Sequence, residues 1–140
     1  MLPFFVVILF GILVSIITLD FETYYDKGLG FKTQTTEEYI RDPRFEVIGV
    51  GVKVNDAAAE WVSGTREEIF SYLKKFDWKH SALLCHNTMF DGAVLNWFFK
   101  ISPVIYLDTL CMARAIHGVE AGGSLASLSS RYAIGQKEIG

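Results

Sequence analysis

The chain has 140 residues, of which 51% are hydrophobic and 21% charged, with a net charge of −3. That is enough for one globular domain with a real core, and it excludes a disordered chain and a long basic nucleic-acid-binding arm. It does not exclude a nuclease, because carboxylates that hold metal ions lower the net charge while the bound cations meet phosphate.

The first nineteen residues are uncharged and almost wholly apolar. As a helix they would span about 28 Å, close to a bilayer core. Residues 14–19, VSIITL, also read as a buried β-branched strand. The two uses exclude each other, since residues 1–13 alone would give only about 20 Å of helix. The expectation is a core strand at 14–19 and a domain spanning 14–140. Residues 1–13 are then an apolar extension, either an anchor or a stretch upstream of the true start. No stable membrane association is expected; an anchor formed by residues 1–19 is the alternative. Cys85 and Cys111 lack metal-binding spacing and read as reduced core residues of a cytoplasmic protein.

Residues 23–44 are polar, with Gly28, Gly30 and Pro43, and read as a loop with one short turn at 36–40. Residues 45–54 alternate as a strand. Ile48, Val50, Val52 and Val54 would share one face; Val47, Gly49 and Gly51 would share the other, where a helix could pack closely. A turn at Asn55-Asp56 leads to a hairpin partner at 58–62. Thr65 and Glu68 form a capping box for a helix over 65–76, with Ile69, Phe70, Leu73 and Phe76 as its apolar stripe. A short buried strand follows at 82–85. Thr88 and Asp91 again fit a capping box, for a helix running to about Lys100 with Phe90, Val94, Leu95 and Phe98 inward. A strand at 103–107 precedes a helix capped by Asp108 or Thr109 and ending near Gly118; a last helix opens over 124–132. The order β-β-β-α-β-α-β-α-α suits an α/β fold, a mixed sheet flanked by helices.

Asp20-Phe21-Glu22 follows the first strand directly. Residues i and i+2 of a strand share a face, so the two carboxylates stand side by side. Like charges beside a core need an offset, and a hard divalent cation supplies one. The other reading is a solvated strand end. Asp91 falls in a first helical turn after a buried strand, where the helix dipole favours an anion. It is either a simple helix-start acid or a third carboxylate. In the second case the neighbouring strand ends bring Asp20, Glu22 and Asp91 into one cleft, the outline of a two-metal site.

These segments resemble a known family. Leu19-Asp20-Phe21-Glu22-Thr23 is similar to the first motif of the DEDD 3′–5′ exonuclease superfamily, and His86-Asn87-x-x-Phe90-Asp91 to the second. Tyr106-Leu107-Asp108-Thr109-Leu110 resembles a segment of the proofreading domains of phage-type family A (DNA polymerase I-like) polymerases. So do the stretches 35–45 and 117–125. The resemblance implies a ribonuclease H-like fold and hydrolysis of the 3′-terminal phosphodiester of single-stranded DNA. It implies two divalent cations, Mg²⁺ or Mn²⁺, on Asp20, Glu22 and Asp91, and contacts from Thr23, Asn87 and Phe90 to the terminal nucleotide. It makes Asp108 more structural than catalytic, and it implies a polymerase domain as partner and a cytoplasmic phage or bacterial setting.

The family also uses a fourth carboxylate in a Tyr-x-x-x-Asp or His-x-x-x-x-Asp motif. After Asp91 the acids are Asp108, Glu120 and Glu138, and Tyr132-x-x-x-Gln136 has the spacing with the wrong residue. The expectation is therefore a fragment, incomplete at its C-terminus before the last motif and weak or inactive alone. A non-catalytic nucleic-acid-binding module of the same fold, or another ribonuclease H-like nuclease, is the alternative.

Overall fold

The computed structural model describes residues 15–135. The expectations for residues 1–14, and for Gln136 and Glu138, lie outside the described residues. Among the described residues, five strands form one sheet in the order β3-β2-β1-β4-β5. The central strand, β1, is Ser15–Thr23. On one side it pairs antiparallel with β2 (Val47–Val54), which pairs antiparallel with β3 (Glu60–Ser63). On the other side it pairs parallel with β4 (Ser81–Cys85), which pairs parallel with β5 (Ile105–Asp108). The helices are α1 (Thr36–Arg41), α2 (Arg66–Leu73), α3 (Thr88–Ala93), α4 (Thr109–His117) and α5 (Leu125–Tyr132).

Strand alternation builds the core. Ile17, Leu19 and Phe21 of β1 point to one face with Val50 and Val52 of β2 and Leu83 and Cys85 of β4. Tyr39 and Ile40 of α1, and Ile69 and Leu73 of α2, complete the cluster with Val94, Leu95 and Phe99. Phe21 stacks on Phe99 at 5.7 Å between ring centres. Burial of so many large apolar side chains is the main driving force for the fold.

The structure corrects several expectations. The region 23–44 is not a plain polar loop: Leu29 is fully buried, and α1 opens on a complete capping box between Thr35 and Glu38. Ile48 is exposed instead of sharing a face with Val50. The β1–β2 register shifts between Glu22 and Thr23, leaving Ile48 as the extra residue of a bulge and turning Val47 into the core. The nearest neighbours on the glycine face of β2 come from strands and not from a helix: Trp61 of β3 lies where a side chain at Gly49 would be, and the Asp20 carbonyl oxygen faces Gly51. The helix from Thr65 ends at Leu73 and leaves Phe70 partly exposed, although its capping box is formed as expected. Helix α3 passes into one π turn, Val94–Phe98, and stops before Lys100, whose φ is +60°. Cys85 is buried, but Cys111 is exposed, because α4 turns that side of its first turn outward.

Candidate active site

The site starts from unequal strand lengths. β2 pairs with β1 as far as Thr23, whereas β4 pairs with it only through Thr18. The last turn of β1 therefore runs on with one edge free. On that edge the Phe21 N–H donates to Asp91 Oδ1 at 2.9 Å. The carboxylates of Asp20 and Glu22 thus lie within an extended β1 and not past its end. Asp91 is only 4% exposed. Burial pushes its pKa up to about 7; the Phe21 N–H pulls the other way, and the Asp20 charge adds to the rise.

Asp20 and Glu22 are exposed on the sheet face opposite the core. Their partners across β2 are Gly51 and Gly49. Neither glycine carries a side chain into the space beside the carboxylates. A side chain at Gly51 would meet nothing nearer than the Asp20 carbonyl, at 3.8 Å. Gly51 thus keeps open ground next to Asp20, whereas opposite Glu22 the place of a side chain at Gly49 is taken by the Trp61 ring.

The capping box expected from Thr88 and Asp91 does not form, because Asp91 is spent on β1. The start of α3 is closed from β5 instead. Asp108 Oδ1 accepts from Asn87 N and Oδ2 from Thr88 N, both at 3.0 Å. Asp108 also caps its own helix, accepting from Leu110 N at 2.8 Å. Partial burial draws its pKa upward, but the N–H groups of Asn87, Leu110 and Thr88 outweigh this and hold it below the usual value. Asn87 sits in the left-handed region at φ 77°, which asparagine tolerates better than most residues, and its side chain makes no cap.

Beside Glu22 opens a cleft of about 660 Å³, in the range of ligand pockets. Phe21, Glu22, Thr23, Tyr25, Phe31 and Tyr39 are among its lining residues. The Tyr39 hydroxyl reaches Thr23 Oγ1 at 2.8 Å and the Tyr24 carbonyl oxygen at 2.6 Å, fixing the strand end. Phe90 is half-buried, with the Phe31 ring edge-on at 5.0 Å and Tyr39 stacked at 6.2 Å. Sequence reasoning missed Tyr25, Lys27, Phe31 and Lys32. The available signal was three aromatics, Tyr24, Tyr25 and Phe31, inside an otherwise polar stretch.

Among the described residues, no three His, Cys, Asp or Glu side chains are gathered closely enough to enclose a metal ion. Asp20, Glu22 and Asp91 share the end of β1 without closing into one cluster. The donor chemistry still fits a hard divalent cation: every candidate is a carboxylate, and the buried Asp91 beside Asp20 is where added positive charge would offset a like-charge pair. Among the described residues after Asp91 the other acids are Asp108, occupied by the two helix starts, and the exposed Glu120.

Three parallel strands, an antiparallel hairpin on one side and helices against the sheet define the class: a ribonuclease H-like α/β fold. Solved structures share it. Brucella melitensis NrnC with bound Mg²⁺ matches with a TM-score of 0.63 and 17% identity, over 89% of this chain and 56% of that one. A second structure of Brucella melitensis NrnC matches at 0.64 and 16%, over 91% and 56%. The structure of the yeast NOT1 MIF4G domain co-crystallized with CAF1 matches at 0.61 and 12%, over 94% and 74%. At such identities the likeness is one of fold. The chain spans 56% of the length of the NrnC chains. No protein-family profile and no curated protein matches the sequence. Among the described residues no helix is long and apolar enough to cross a membrane.

Proposed function

We propose that this chain is a 3′–5′ exonuclease domain of the DEDD type. It would hydrolyse the 3′-terminal phosphodiester of single-stranded DNA with two divalent cations, Mg²⁺ or Mn²⁺. One observation carries the reading: Asp91 of the second motif reaches 70 residues back and hydrogen-bonds Phe21, between Asp20 and Glu22 of the first. The contact brings the acid of the second motif onto the strand that carries the first. The fold shared with a protein that binds Mg²⁺ supports the choice of metal.

Asp20, Glu22 and Asp91 are the residues that would hold the cations. When bound, such ions lower the pKa of a coordinated water and stabilise the charge on the departing 3′ oxygen. Asp91 contributes a carboxylate whose orientation is set by the Phe21 N–H. Asp20 and Glu22 would contribute exposed carboxylates, with room beside Asp20 left by Gly51. Thr23, held by Tyr39, and Asn87, whose side chain makes no cap, would meet the terminal nucleotide. With Asp108 committed to backbone N–H groups, the described residues lack a fourth metal carboxylate, and activity of the chain alone is expected to be weak.

At finer grain the reading is a proofreading domain of a phage-type family A DNA polymerase, acting in the cytoplasm beside a polymerase domain. The support is the joint occurrence of both carboxylate motifs with Asp108-Thr109 and the flanking stretches. The test is digestion of a 3′-labelled single strand in Mn²⁺ by the chain, by Asp20→Ala, and by a form extended through a Tyr-x-x-x-Asp segment. Cleavage that rises with the extension and disappears with Asp20→Ala is expected. Full activity unchanged by Asp20→Ala would overturn the assignment, and absence of Mn²⁺ uptake by calorimetry would favour a non-catalytic binding module. Parallel digestion of RNA separates the DNA reading from another ribonuclease H-like nuclease.

A further inference from the structure

The segment between β1 and α1 is a built wall, and its side chains answer to no role assigned so far. Leu29 is fully buried and anchors it. Asp26 Oδ1 accepts from Gly28 N at 2.8 Å, and Asp26 and Leu29 close a small bridge. Gly30 adopts φ +131°, open to glycine, and donates its N–H to Gln34 Oε1 at 2.9 Å. A side chain there would press on Tyr25 Cβ at 3.2 Å.

The wall holds two aromatic rings at the rim of the cleft. Tyr25 is 76% exposed and Phe31 58%. Leaving two such rings in water costs apolar burial and invites a flat partner. Phe31 rests edge-on against Phe90 and, at 5.2 Å, against Tyr39. Phe90 stands behind Phe31 and is not part of the cleft lining. The aromatic surface offered to a ligand is therefore that of Tyr25 and Phe31. Lys27 and Lys32, both exposed, line the same cleft, and neither forms an ion pair among the described residues. Asp26, the acid beside them, is occupied by the Gly28 N–H and the Tyr24 hydroxyl.

Two exposed aromatic rings and two lysines lining one cleft suit a nucleobase with its phosphates, the combination that binds single strands without reading sequence. The cleft lining includes Glu22 but neither Asp20 nor Asp91. Resting on the nuclease reading above, we propose that Tyr25 and Phe31 form the stacking platform for a base of the single strand next to the cleaved linkage, with Lys27 and Lys32 on its phosphates. The platform belongs to the loop after β1 and not to either carboxylate motif.

The test is fluorescence anisotropy of the full chain in EDTA with a fluorescein-labelled oligothymidylate and an abasic strand of the same length. Tyr25→Ala and Phe31→Ala are each expected to weaken oligothymidylate binding about 5-fold or more and to leave abasic binding unchanged. Lys27→Ala with Lys32→Ala should weaken both strands and reduce the log–log salt slope by about 1.4. Phe31→Leu keeps an apolar contact on Phe90, so its melting temperature shows whether a loss comes from unfolding. Equal binding of the two strands, or aromatic variants that weaken both alike, would overturn the platform. Because no metal is present, that outcome leaves the nuclease reading standing, whereas Asp20→Ala cleavage in Mn²⁺ bears on the nuclease reading alone.

Discussion

Asp91 and Asp108 look alike in the sequence, each an acid at the junction of a short strand and a helix, yet the fold uses them in opposite ways. Asp108 meets the N–H groups of Asn87, Thr88 and Leu110, and they hold it ionised. Asp91 meets the one N–H of Phe21, sits deeper, and has Asp20 as a charged neighbour. The comparison teaches that the number of backbone donors facing a carboxylate decides how many of its lone pairs are left for another ligand. A saturated carboxylate has no lone pairs to offer a cation; an under-supplied one gains from it.

The sharpest way to break this contrast is by pH. The folded pKa of Asp91, about 7, stands above its ordinary 3.8. Between those values the folded state binds more protons than the unfolded one, so this contribution to stability is present at low pH and falls as pH rises toward 7. Without metal, the loss from pH 4 to 7.5 is on the order of 4 kcal/mol for this group. Urea unfolding across that range should show it. Asp91→Asn should flatten the profile, and Mn²⁺ at pH 7.5 should restore stability to the unsubstituted chain but not to Asp91→Asn.

Asp108→Ala comes next. It uncovers N–H groups at the starts of both α3 and α4, and a loss of about 2–4 kcal/mol is expected in the same assay. The loss should be nearly constant from pH 5 to 8, since this carboxylate is already ionised there. A strong pH dependence in that window would remove the distinction between the two acids.

Smaller effects test the ground around the carboxylates. Gly49→Ala would meet the Trp61 ring and the Val62 carbonyl oxygen, at a cost of about 1–3 kcal/mol. Gly51→Ala meets only ordinary contact distance and should stay within about 1 kcal/mol in stability, so any larger fall in Mn²⁺ affinity by calorimetry reports crowding of Asp20. Ile48→Lys, on the exposed bulge, should change stability by less than about 0.5 kcal/mol. A loss of 2 kcal/mol or more there would restore Ile48 to the core face that simple alternation predicts.

Local chemistry was legible from the residues. The strand before Asp20, the capping box of Thr65 and Glu68, the hairpin after Val54 and the helix start at Asp108 all depend on neighbours within a few positions, and the structure contains them. The pairing of Asp20-Phe21-Glu22 with Asp91 was readable only as motif chemistry. The bulge at Ile48 was not readable, because both strands alternate well and the slip arises in their register. The α3 capping box failed for a related reason: its acid has the right spacing but finds a better donor on another strand.

The sequence by itself determined most of the elements, the α/β class and the short set of candidate carboxylates, because periodicity, capping and charge are local properties. Only the tertiary structure decided what those carboxylates face. The early end of β4 frees the Phe21 N–H for Asp91, the hairpin sets glycines opposite Asp20 and Glu22, and the wall after β1 puts Phe31 in front of Phe90. Each of these is a contact between segments distant in the chain, set by strand length and packing, and no spacing within one segment encodes it.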